Sequence, residues 1–287
     1  MLDRRSFLGL AGGVVILAAC GGGGDDDAAD STFEHDHPFD GLTELRPGVL
    51  SSDLYVSDTP QRFAFAMTAK EGYASMGAVR VAAAPEGRKA ADFVETTLHT
   101  DGLPERRGVY VAEMTLATAG IWDAVVDLDG ETVPFAFQVK AQAEAPTIGS
   151  AAPTNPSPTP DATLGVDPIC TRNPMCELHA SSLDTAIGAG TPVVALFATP
   201  ARCTSEYCGP VLDTMLPLVK EYDGITFVHI EIYKDLRSED LVPTVVDWGL
   251  PSEPFLFGIA ADGTITARLD GAFGQDEMRA VFDDLVS

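Results

Sequence analysis

The chemistry this chain can do is concentrated in its cysteines. Cys170, Cys176, Cys203 and Cys208 all fall in the second half, and the fifth, Cys20, lies far upstream. Cys203 and Cys208 belong to the run Leu196-Phe197-Ala198-Thr199-Pro200-Ala201-Arg202-Cys203-Thr204-Ser205-Glu206-Tyr207-Cys208-Gly209-Pro210. The preceding Thr191–Ala198 is continuously apolar, as a strand buried on both faces would be, and the residues from Pro210 to Tyr222 carry a helical stripe. Cys203 therefore stands at the C-terminal edge of a strand and opens a helix, where reactive groups collect in α/β sheets. The positive end of the helix dipole favours a thiolate there, and Arg202 adds a neighbouring positive charge. A thiolate is the attacking species in disulfide exchange. Cys203 is the candidate nucleophile and Cys208 the candidate resolving thiol. In an ideal helix this spacing holds the two sulfurs too far apart, so their bonding needs an irregular first turn.

The other pair, Cys170-Thr171-Arg172-Asn173-Pro174-Met175-Cys176, is expected to close a local loop as a structural disulfide; exchange of one of them with Cys203 is the alternative. An even count of four in an exported chain favours disulfides and leaves three connectivities open. Zinc binding by the four cysteines lacks a paired C-x-x-C knuckle, and no metal or bound cofactor is expected. His179 and His229 with the Cys pair suggest copper delivery, but His229 lies inside an apolar strand and reads as a satisfied core residue. His35 and His37 form an H-x-H pair in an acidic stretch that reads as a solvated tail rather than a metal site.

These groups need an address and a scaffold. Residues 1–19 carry Arg4 and Arg5 ahead of an apolar run from Phe7 to Ala19. That run is shorter than the ~20 residues that span a bilayer, so it reads as a signal peptide. Arg4-Arg5-Ser6-Phe7-Leu8 resembles a twin-arginine export signal, and Leu17-Ala18-Ala19-Cys20 resembles a lipobox, which implies a lipid on Cys20. Residues 20–41 form a flexible acidic tether. The formal charge is −25; without residues 1–19, which carry two Arg and one Asp, it is −26. Such acidity opposes binding to nucleic acid.

Residues 42–140 alternate as short strands divided by Asp101-Gly102, Arg107-Gly108, Ala119-Gly120 and Asp129-Gly130, which predicts an immunoglobulin-like β-sandwich. Residues 141–164, rich in Pro, Ala, Ser and Thr, read as a semi-rigid linker. From 165 to 287 the predicted order is helix, strand, helix, strand, helix, a hairpin at Asp262-Gly263, and helix, with a kink at Pro217. That alternation argues for an α/β domain with a mixed sheet.

Over about 165–287 the chain resembles the thioredoxin superfamily, above all its exported, membrane-tethered thiol–disulfide oxidoreductases. The resemblance rests on Leu196-Phe197-Ala198, the Cys pair with Gly209-Pro210, and Trp248-Gly249-Leu250-Pro251-Ser252-Glu253-Pro254-Phe255-Leu256-Phe257. It implies an α/β thioredoxin-like domain behind the sandwich, with Pro254 as the cis-proline facing the active pair and Pro251 as a weaker candidate. The four residues between Cys203 and Cys208 depart from the family's C-x-x-C. Thr199 to Cys208 also resembles the T-P-G-C-T-x-E-x-C of one-Cys-pair peroxiredoxins, but the Thr stands one residue too far from Cys203, and Pro254 occupies the place of their catalytic Arg. The implied function is a lipid-anchored thiol–disulfide oxidoreductase on the outer face of the cytoplasmic membrane. Its partners would be exported protein thiols or disulfides and a membrane redox partner. A thiol peroxidase and a non-enzymatic binding or assembly lipoprotein are the alternatives.

Overall fold

In the computed structural model, which describes residues 39, 41–75, 77–90, 92–105, 107–202 and 211–287, the alternating segments of the first half become strands. These are β1 (Arg46–Val49), β2 (Gln61–Ala69), β3 (Gly72–Tyr73), β4 (Arg80–Pro85), β5 (Val94–Glu95), β6 (Thr97–His99), β7 (Val109–Met114), β8 (Gly120–Leu128) and β9 (Glu131–Val139). One antiparallel sheet has the order β1-β2-β7-β6, with β3 on β2; the other runs β5-β4-β8-β9. They share one core, in which Phe63, Phe65, Met67 and Tyr110 meet Val81, Trp122, Val126 and Phe137. The period of two decides this, since alternate side chains must share a face. β2 is buried on its other face as well, where Ala64 and Ala66 pack with Ala272.

The second half holds α1 (Leu183–Gly188), β10 (Val193–Phe197), α2 (Val211–Val219), β11 (Thr226–Ile230), α3 (Pro243–Asp247), β12 (Phe255–Ile259), β13 (Ile265–Asp270) and α4 (Gln275–Val286). Its sheet has the order β11-β10-β12-β13. β10 runs parallel to β11 and antiparallel to β12, and β12 is antiparallel to β13. Val193, Ala195 and Phe197 enter one core with Phe255 and Phe257. Val194, Leu196 and Ala198 enter another with Leu212, Met215 and Phe282. This is why the run 193–198 is apolar without alternation.

The expected α/β thioredoxin-like domain is corrected by these elements. The described residues are mostly β-sheet, in three sheets, which fits a β-sandwich; a thioredoxin α/β domain is not shown. Helix is scarce because its segments are short: α1 has six residues and α3 five. The stripe expected to reach Tyr222 ends at Val219, two residues after Pro217, whose missing N–H and ring disfavour continuation.

Residues 141–164 are laid against the second half. Ala145 and Ala152 join its core, Ala152 N donates to the Gly263 carbonyl at 2.9 Å, and Thr244 Oγ1 donates to the Pro156 carbonyl at 2.7 Å. The two halves also meet through buried charge. Arg62 donates to Glu277 at 2.7 Å and to the carbonyls of Asp270 and Ala272 at 2.9 and 2.6 Å. Asp53 accepts from Lys140 at 3.0 Å and Arg268 at 2.9 Å.

Candidate metal centre

The centre is assembled from one strand and the segment that precedes α1. β11 carries His229, whose backbone N–H donates to the Leu178 carbonyl at 3.0 Å. That bond draws residues 170–179 along the outer edge of β11. It brings Cys170, Cys176 and His179 against His229, with one potential ligand atom from each lying within 4.8 Å of the others. All four residues are buried, at 6%, 4%, 2% and 0% exposure respectively.

The contacts define a compact polyhedron. Cys170 Sγ and Cys176 Sγ are 3.8 Å apart. His229 Nδ1 lies 3.5 Å from Cys176 Sγ, 4.0 Å from Cys170 Sγ and 3.1 Å from His179 Nε2. His229 Nε2 is 2.9 Å from the Ala198 carbonyl. A carbonyl can only accept, so Nε2 carries the proton and Nδ1 presents a lone pair to the two sulfurs and His179. Holding the remote nitrogen in this way is how proteins fix a ligating imidazole. Burial pushes the His229 pKa down, which keeps the ring neutral and its lone pair available.

The thiols behave as a pair. Their mutual hydrogen bond draws the Cys170 pKa down and lifts that of Cys176, since one shared proton stabilises a single thiolate. Beside them Glu231 is buried, and burial first, with the nearby Cys170 charge, pushes its pKa up to about 8. Its carboxyl accepts from Thr171 N at 2.6 Å and Thr171 Oγ1 at 3.1 Å. Thr171 Oγ1 also accepts from Ala201 N at 3.1 Å. The loop bearing the cysteines is thus bonded directly to the backbone that leaves β10.

Cys170 and Cys176, expected as a structural disulfide, are free thiols here. Their 3.8 Å separation far exceeds the ~2.05 Å of a disulfide. The physical reason is that both sulfurs face His229 Nδ1 as well as each other. No metal site was expected, yet soft sulfur and borderline nitrogen donors that could hold an ion converge in one buried place. His229 is a core residue, but only its Nε2 is satisfied by backbone. Cys176-x-x-His179 was the signal available in the sequence, half of a knuckle whose other half comes from a distant strand.

The remaining expected site residues fall elsewhere. Arg202 is not a free positive charge: it pairs with Glu239, donates to the Ser238 carbonyl, and lies 4.1 Å from the centroid of the Tyr233 ring. The Glu253–Pro254 peptide is cis, and the Glu253 carboxylate accepts from Thr199 N at 2.6 Å. Cys203 and Cys208 lie outside the described residues, as do Cys20, His35 and His37. A cleft of about 1040 Å³ between the halves is lined by Arg62, His99, Arg268, Asp276 and Glu277, among others. Those five side chains are already engaged, His99 with Asp276 at 2.6 Å, Arg62 with Glu277, and Arg268 with Asp53.

No family model matches the chain, and no curated protein matches its sequence. Among the described residues, no helix is long and apolar enough to cross a membrane.

Proposed function

We propose that this protein binds one thiophilic transition-metal ion through Cys170, Cys176, His179 and His229, at the outer face of a membrane to which a lipid on Cys20 tethers it. The observation that carries the reading is the convergence of two sulfurs and two imidazole nitrogens within 4.8 Å, all from buried residues. His229 Nδ1 and His179 Nε2 face each other at 3.1 Å, although the His229 proton is already given from Nε2 to the Ala198 carbonyl. An ion there would take the lone pairs of both imidazole nitrogens together with the two sulfurs. Elemental analysis of the full chain, purified in detergent under reducing conditions, tests this. One metal equivalent per chain is expected, falling to a small fraction in Cys170→Ser/Cys176→Ser. Metal content below a tenth of an equivalent after supply of zinc and copper salts rejects it.

A second reading has its own support. Thr199 N, just after β10, donates to the carboxylate of Glu253, the residue before cis Pro254. Thiol–disulfide exchange on exported proteins would use Cys203 as nucleophile and Cys208 as resolving thiol. Cys208→Ser is expected to accumulate mixed disulfides with partner proteins, and Cys203→Ser to abolish them. Identical, partner-free behaviour of the two variants rejects exchange.

A further inference from the structure

We infer that the ion is divalent zinc, held as a closed, charge-neutral tetrahedral centre that fastens the 170–179 segment and the end of β10 to β11. This rests on the metal-binding reading above and goes further by naming the ion and its role.

Geometry is the first ground. A tetrahedral zinc ion with bonds of about 2.3 Å to sulfur and about 2.05 Å to nitrogen separates its ligands by about 3.8 Å for S–S, about 3.6 Å for S–N and about 3.3 Å for N–N. The S–S separation here is 3.8 Å, two S–N separations are 3.5 and 4.0 Å, and the N–N separation is 3.1 Å. These four edges lie within about half an ångström of that polyhedron, and all the donor atoms lie within 4.8 Å of one another.

Charge is the second ground. Two thiolates and two neutral imidazoles carry −2, which a divalent ion cancels. A monovalent copper ion leaves −1 in a site whose ligands are at most 6% exposed, and an uncompensated buried charge is costly.

Closure is the third ground. Four protein donors complete a tetrahedron and leave no position for substrate, as in structural rather than catalytic zinc sites. Glu231 is not a fifth ligand, since its carboxyl is occupied by Thr171. The network around the centre instead reaches backbone. His229 Nε2 donates to the Ala198 carbonyl, and Ala201 N donates to Thr171 Oγ1. An ion at the four donors fixes both ends of this pattern.

The test uses the full chain in a Cys203→Ser/Cys208→Ser background, so that with Cys20 carrying its lipid on sulfur, Cys170 and Cys176 supply the only thiols. The protein is produced with zinc and copper both present, its metal content measured, and the ion then exchanged for Co(II). One zinc per chain, strong visible bands of tetrahedral cobalt, and a sulfur-to-cobalt absorption that falls by about half in Cys176→Ser are expected. The wild-type-ligand spectrum decides the geometry even if Cys176→Ser fails to fold. Copper in place of zinc, or the weak bands of six-coordinate cobalt, overturns the zinc assignment while leaving metal binding intact. No retained metal of any kind overturns both.

Discussion

His229 Nδ1 lies 3.1 Å from His179 Nε2, although the Ala198 carbonyl has already claimed the His229 proton on Nε2. Either the His179 nitrogen brings a proton to that gap or a metal ion takes both lone pairs. The choice has a thermodynamic consequence. An ion that binds the folded state alone stabilises it by about 4 kcal/mol at a thousandfold excess over its dissociation constant. For a chain of this size that corresponds to a rise of roughly 8–16 °C in melting temperature. Stripping metal from the folded protein should therefore lower the melting temperature by about that much, with zinc restoring it. Calorimetric scans with and without a chelator measure the difference, and a melting temperature indifferent to chelation removes the stabilising role.

Arg62 gives a prediction about the joint between the halves. Its side chain is 9% exposed and that of Glu277 is 7% exposed, and the guanidinium also holds the Asp270 and Ala272 carbonyls. Removing one member of a buried pair strands the other, at a cost of about 3–5 kcal/mol. Arg62→Ala should lose that much in urea unfolding. Arg62→Met/Glu277→Leu should recover part of the loss, because neither charge is then buried alone. Additive losses in the double variant would deny the coupling.

Much of this architecture is legible in the chain. Val109–Met114 and Gln275–Val286 stand where alternation and the helical stripe put them, because each pattern depends only on neighbours in sequence. The fold class was not legible. Order of elements along the chain leaves open how much of each segment becomes helix, and Pro217 cut the longest expected stripe short. The candidate metal site was missed for a related reason. His229 lies in the strand Thr226–Ile230 among apolar neighbours, and only the bond from its backbone to Leu178 reveals that Cys176 and His179 lie beside it. Sequence separation of 50 residues hides that adjacency. The linker composition of 141–164 likewise gave no sign that Asp53 would bind its backbone, yet Glu144 N and Ala145 N both donate to that carboxylate at 3.1 Å.

That same carboxylate makes stability depend on pH. Burial alone would raise the Asp53 pKa, but hydrogen bonds from Lys140, Ala145 and Glu144 and the Arg268 charge outweigh it and hold the pKa below the usual aspartate value. The folded state therefore binds this proton less readily than the unfolded chain. Its stabilisation is present above the unfolded pKa and is lost as pH falls through the lower, folded one. Asp53→Asn should flatten the acid limb of the stability curve as well as lower stability at neutral pH. An acid limb of unchanged steepness in the variant assigns acid unfolding to other carboxylates.

Gly271 lies at a close backbone approach between the halves. It follows β13 with φ of +79°, and a Cβ placed there would stand 1.9 Å from the Leu50 carbonyl oxygen. Two costs are therefore expected of Gly271→Ala: a left-handed backbone that disfavours any side chain, and a backbone clash that cannot relax by rotating a side chain. Gly165 separates them. Its φ is +81°, but nothing lies within 4 Å of the added Cβ, so Gly165→Ala carries the conformational cost alone, about 1 kcal/mol. Gly271→Ala should exceed that by at least about 2 kcal/mol, the scale of overpacking a fixed contact. It should also speed proteolysis within 141–164, whose docking depends on the halves staying together. Equal losses in the two variants, by urea unfolding, would mean that the approach of Leu50 to Gly271 contributes nothing to holding the halves in place.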